Sequence, residues 1–292
     1  MWNLWQSGFV RSLIWDSALL PAAVTALIGV ALYRRTHHHS RWRSTFWAAA
    51  MLAGFLGGYA LIYRDFSFPP HTVLSWLPWL AIVGGTTVAM VDHRGQKYGR
   101  HGARGLAAGA SAFILLWPIL RQETVPAAFF AWLTATVLWS LLWFVLTPYN
   151  RDQKPAGITL LVGAAGLALV APLSGSILLA QLGAALAVVL AVALISSILM
   201  GGSRWDSPSA DMGILILGAL LVDLRFYAGA PMAVMVWLLV SLAAGSGIAE
   251  ILRHRGTSGG WAVIAPGLAS FLPMVVAAWL ALQAYWVNGG GY

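Results

Sequence analysis

Residues 59–95 read YALIYRDFSFPPHTVLSWLPWLAIVGGTTVAMVDHRG, and residues 220–256 read LLVDLRFYAGAPMAVMVWLLVSLAAGSGIAEILRHRG. The two stretches align without a gap at an offset of 161, with Arg64/Arg225, Pro70/Pro231, Val73/Val234, Trp76/Trp237, Leu77/Leu238, Gly84/Gly245, His93/His254, Arg94/Arg255 and Gly95/Gly256 identical. Each carries the end of one apolar run, a proline-bearing turn, an apolar run of about 20 residues, the length that crosses a hydrocarbon layer, and a basic His-Arg-Gly triplet. A second echo, Ser40-Arg41-Trp42 against Ser203-Arg204-Trp205, stands at an offset of 163.

Working outward, the same texture fills the chain. Of 292 residues, 60% are hydrophobic and 9% charged, against about 25% charged in a soluble domain. No polar stretch is long enough to be a separate soluble domain, so residues 1–292 read as one all-α, polytopic membrane bundle. Ten helices are predicted: 13–33, 44–63, 73–91, 105–120, 127–147, 156–173, 177–200, 211–226, 232–252 and 261–286. The eighth has the shortest clean apolar stretch, Gly213 to Val222, and rests on its alignment with the second. The first apolar run is long, contains Asp16 and precedes its strongest basic cluster, so it reads as a retained helix and not a cleaved signal.

Basic residues set the orientation. Arg34, Arg35, Arg41, Arg43, Arg94, Lys97, Arg100, Arg104, Arg151, Lys154, Arg204, Arg253 and Arg255 fall on one side, 13 of the 17, leaving Arg11, Arg64, Arg121 and Arg225 on the other. This predicts a bacterial inner-membrane protein with both termini on the periplasmic side. The net charge of +8 then reports orientation and contact with anionic lipid, not nucleic acid. Tryptophans near helix ends, including Trp76, Trp117, Trp286, Trp47 and Trp143, read as interfacial anchors.

Six helices separate each repeated pair, so both copies enter the membrane in the same direction. The expected layout is a parallel 4+2+4 repeat: copy A over 13–120, linking helices over 127–173, copy B over 177–286. Interrupted spans at matching places in two copies point to a transport path. Here these are Gly84, Gly85, Thr86 and Thr87 in helix three and Gly245, Ser246 and Gly247 in helix nine. The same small residues also suit close helix packing. Pro21, Pro118, Pro266 and Pro273 interrupt other helices.

Intramembrane charges are costly and therefore candidates for function. They are Asp16, Asp223, Arg225 and Glu250, with Asp223 and Arg225 placed to pair and Glu250 beside Arg253 and Arg255. The chain has no cysteine, which excludes disulfides and thiolate chemistry. His37, His38 and His39 lack accompanying carboxylates at ligand spacing, and no phosphate-binding, dinucleotide or His-Glu-x-x-His motif occurs. No metal, cofactor or catalytic constellation is expected, and the chain reads as a non-enzyme. Two functions fit: a permease or channel for a small solute or lipid, or a non-catalytic subunit of a larger membrane assembly.

Overall fold

The computed structural model describes residues 14–35, 43–63, 70, 72–93, 97–146, 154–199, 207–257 and 260–287. The chain ends, the two Ser-Arg-Trp segments, the His37–His39 run, residues 64–69 and most of the basic loops lie outside them. The described residues form ten α-helices and no strand. They are α1 (Leu20–Arg35), α2 (Arg43–Ile62), α3 (Leu77–His93), α4 (Lys97–Leu120), α5 (Val125–Leu146), α6 (Lys154–Leu173), α7 (Ile177–Leu199), α8 (Ser207–Phe226), α9 (Met232–His254) and α10 (Gly260–Val287). A π-helical turn, Trp15–Leu19, leads into α1, and a 3-10 turn, Leu74–Trp76, leads into α3. Seven of these segments are long and apolar enough to cross a membrane, and the protein is membrane-embedded and multi-pass.

The helix with the weakest sequence signal is the centre of the bundle. Helix α8 packs against α2, α3, α4, α5, α6, α7 and α9. Those seven close into a ring in the order α2, α3, α4, α5, α9, α6, α7 and back to α2, with α1 against α2 and α7 on one flank and α10 against α9 and α6 on the other. Every residue from Pro208 to Leu224 is buried. A helix apolar all round has no face to give to water and is stable only when enclosed. Small residues let the neighbours in: Leu160 of α6 and Leu190 of α7 close on Gly213, and the indole of Trp139 from α5 lies against Gly218.

This packing is not two-fold. By the 161-residue offset, α2 and α8 are equivalent, yet α2 buries one face, through Trp47, Met51, Phe55 and Tyr59, while α8 is enclosed on every side. Helix α3 packs on α8, α4 and α2, whereas its sequence counterpart α9 packs chiefly on α10, α6 and α5. Matched positions keep their local roles: Leu77 and Leu238 are both buried, and Gly84 and Gly245 both admit a neighbour's side chain. Sequential pairs within the two copies correspond, α3 on α4 and α9 on α10, and the remaining neighbours differ.

Helix ends shape the site that follows. Helix α6 stops at Gly175, whose φ of 86° is the left-handed conformation that glycine adopts without a Cβ penalty. The amide of Gly175 donates to the Pro172 carbonyl and that of Ser176 to the Ala171 carbonyl, the two bonds of a Schellman turn. Ser176 then opens α7 by accepting the Leu179 amide at 3.3 Å.

Candidate functional site: a buried carboxyl beneath a cavity at one end of the bundle

Near the C-terminal end of α8, Asp223 is 1% exposed, and neither carboxyl oxygen has a hydrogen-bond partner among the described residues. Above it is a cavity of about 620 Å³ walled by Tyr63, Thr72, Pro118, Ser174, Ser176 and Tyr227, with Leu74 and Leu179 supplying apolar surface. These residues come from the C-terminal ends of α2, α4, α6 and α8 and the starts of α3 and α7, so the cavity belongs to the end of the bundle away from the basic helix termini. The Ser174 hydroxyl is also buried without a partner. Three buried polar atoms without a partner among the described residues, two carboxyl and one hydroxyl, therefore belong to residues that line one cavity.

The wall is rigid where it is bonded. Tyr63 Oη and Thr72 Oγ1 share a hydrogen bond of 2.6 Å, and Tyr59 Oη donates to the Leu74 carbonyl at 3.0 Å, fixing the start of α3 to the end of α2. Thr72 and Ser75 cap the turn reciprocally: the Thr72 amide donates to Ser75 Oγ at 3.0 Å and the Ser75 amide to Thr72 Oγ1 at 3.3 Å. On the far wall, Tyr227 Oη donates to the Leu115 carbonyl of α4 at 2.7 Å. The ring thus carries aromatic faces, free hydroxyl capacity and one unsatisfied carboxyl. An ionised carboxylate in such a place is stable only with a bound cation, because removing a charge from water without a partner is prohibitively costly.

The other end of α8 carries the opposite case. Asp211 is 1% exposed, and Arg104, 4% exposed, reaches it from α4 with Nη2 at 3.0 Å from Oδ2 and 2.9 Å from Oδ1. Trp143 Nε1 donates to Oδ1 at 2.9 Å from α5. This corrects two expectations. Arg104 is not a loop cation, because α4 begins at Lys97 and α8 at Ser207, so both charges fall within their helices. Trp143 is not an interfacial anchor, and neither is Trp47; both are core residues.

The residues singled out from sequence separate into distinct surroundings. Asp223 and Arg225 do not pair: two positions along a helix is about 200° of rotation, and Arg225 Nη1 donates to the Ala230 carbonyl at 3.1 Å. Gly84 and Gly85 accept Leu215 and Met212 of α8, so they are packing positions. Thr86 and Thr87 are exposed on the bundle's flank and bond their own helix, Thr86 Oγ1 to the Ile82 carbonyl at 2.8 Å and Thr87 Oγ1 to the Val83 carbonyl at 2.7 Å. Gly245 fits against Ser270 and Pro266 of α10 and Thr159 of α6; Ser246 keeps a buried hydroxyl without a partner, and Gly247 borders open space. The α3 and α9 sets therefore face different neighbours and do not meet across one path. Glu250 sits in an exposed local cluster with Arg253, whose Nε is 2.8 Å from Oε2, and with His254, whose Nε2 is 3.0 Å from Oε1. Asp16 lies half-buried in the π-helical turn before α1.

Sequence reasoning found Asp223 and missed Asp211 with Arg104. The available signal was that α8, the second-copy partner of α2, is the one apolar segment with an aspartate at each end. Among the described residues no group of three or more His, Asp or Glu side chains stands close enough to share a metal ion. No protein-family model matches the chain, and no curated protein matches it either.

Proposed function

We propose that the protein is a permease of the bacterial inner membrane that takes a small cationic solute from the periplasmic side, with the cavity above Asp223 as its outward binding site. The reading keeps the basic helix ends in the cytoplasm and both termini outside, in keeping with the excess of basic residues on one side. It moves the solute site from the α3 and α9 interruptions to the outer end of α8. The observation that carries it is Asp223: a fully buried carboxyl with no partner, under a cavity of about 620 Å³ rimmed by hydroxyls and two tyrosines. A carboxyl, hydroxyls and aromatic faces together recognise an ammonium or guanidinium group. Binding and passage are assigned, with no covalent chemistry, and the parallel duplication remains the proposed origin of the chain, its packing having since diverged.

The test is uptake by proteoliposomes of radiolabelled organic cations (methylammonium, choline, guanidinium). The wild-type chain is expected to accumulate at least one of them, and Asp223→Asn is expected to abolish that uptake while the protein still reconstitutes. Equal uptake by both proteins contradicts the reading.

The subunit reading is favoured by one feature of its own. Helix α10 exposes Ile264, Leu268, Phe271, Val275, Trp279 and Trp286, spaced three, four or seven apart along most of its length, as on a face that packs against another helix. Purification from the native membrane in a mild detergent separates the two: a constant stoichiometric partner favours the subunit, and a solitary chain favours the permease.

A further inference from the structure

A second cavity lies on the opposite face of α8 from Asp223. It is a groove of about 250 Å³ between α5, α8 and α9, lined by Phe130, Leu138, Leu142, Leu221, Met235 and Leu239 among others. Trp139, packed on Gly218, forms its inner end, and Arg225 lies at its outer end. The side walls reach the flank of the bundle: Phe130 is 65% exposed and Met232 49%. The groove therefore opens sideways into hydrocarbon, not to water.

Its dimensions and charge name its occupant. From Gly218 to Arg225, seven residues along α8 at 1.5 Å each give about 10 Å, most of the roughly 15 Å hydrocarbon depth of one leaflet. The lining is almost wholly apolar up to Arg225, the single charged residue in it. The Arg225 guanidinium is held over the groove by its bond to the Ala230 carbonyl, and no carboxylate among the described residues pairs with it. A planar guanidinium at the end of an apolar slot matches a phosphate on an acyl chain.

We infer that this groove is a binding site for one acyl chain of an anionic phospholipid from the leaflet at the Arg225 end, with its phosphate on Arg225. The occupant is distinct from the solute proposed at Asp223, and either assignment stands without the other.

Native mass spectrometry of the full chain in detergent, titrated with phosphatidylglycerol or phosphatidylcholine of the same acyl composition, tests it. Phosphatidylglycerol is expected to be retained about tenfold more tightly, because in phosphatidylcholine the choline ammonium offsets the phosphate charge that Arg225 would bind. Arg225→Gln is expected to erase that preference and Arg225→Lys to keep part of it. Ala131→Trp, which fills the groove and leaves Arg225 intact, is expected to remove retention, with melting temperature checking that each variant is folded. Equal retention of both lipids, an unchanged preference in Arg225→Gln, unchanged retention in folded Ala131→Trp, or retention of oleate but not of phospholipid overturns the inference.

Discussion

Asp211 and Asp223 stand on the same enclosed helix, twelve residues apart, and among the described residues only Asp211 has a counter-charge. About 18 Å of helix separates them. Both are removed from solvent, yet one is satisfied by Arg104 and Trp143 and the other by nothing among the described residues. The first is the pattern of a structural pair. The second is the pattern of a site awaiting a ligand, and the two make opposite demands on a substitution.

Removing one partner of the inner pair leaves a buried charge alone, which costs about 3–5 kcal/mol. Arg104→Ala is therefore expected to lower the unfolding free energy by that order, measured by denaturant or thermal unfolding in detergent. The double variant Arg104→Met/Asp211→Asn is expected to recover most of the loss, since it removes both charges and keeps a side-chain acceptor for the Trp143 N–H. A single-variant loss within measurement error means that the pair does not form.

Asp223→Asn makes the contrary case. It replaces a carboxyl that no group among the described residues satisfies by a neutral amide in the same place, so stability is expected to change by no more than about 1 kcal/mol. Solute uptake is expected to disappear. A large loss of stability identifies Asp223 as a structural residue and removes it from the transport reading.

Much of this was legible before any coordinates. With the π-helical turn counted as part of α1, nine of the ten helices fall within four residues of the expected spans, and α4 begins eight residues early at Lys97, because runs of apolar residues define membrane helices by length while a glycine-rich basic start does not. Position within the bundle was not legible. A lipid-facing helix and a protein-enclosed one are equally apolar, so α8 looked marginal on composition when it is the hub. The same ambiguity placed Arg104 at the edge of a loop, because expected boundaries at 105 and 211 set each charge just outside or at the start of its helix, away from its partner. The repeat lines α3 up with α9 along the chain, but an alignment carries no statement about which helices touch.

Glycines on α8 and α9 separate packing from spare room. Gly218→Ala puts a methyl group into the indole of Trp139, and overpacking of this kind costs about 1–3 kcal/mol. Gly247→Ala meets open space in mid-helix and is expected to be neutral or to stabilise by about 0.5–1 kcal/mol through helix propensity. Melting temperatures in one detergent compare them directly, and equal shifts would show that α5 does not pack on α8 at Gly218.

The threonines of α3 supply a control on the path itself. Thr86→Val and Thr87→Val remove hydroxyls that bond only their own helix and face outward. Uptake by both variants is expected to match wild type. Loss of uptake with the fold intact would return the path to α3 and displace it from the outer end of α8.

Because the chain contains no cysteine, a single introduced thiol reports on the cavity without background. Ser176→Cys, expressed in intact cells and exposed to a membrane-impermeant maleimide, probes the cavity wall directly, with methylammonium, choline and guanidinium tested as protectants. The account expects labelling from outside the cell, slowed by at least one of these cations, with the protection lost when Asp223→Asn is added. Labelling only after the cells are broken open, or labelling that no cation slows, contradicts it.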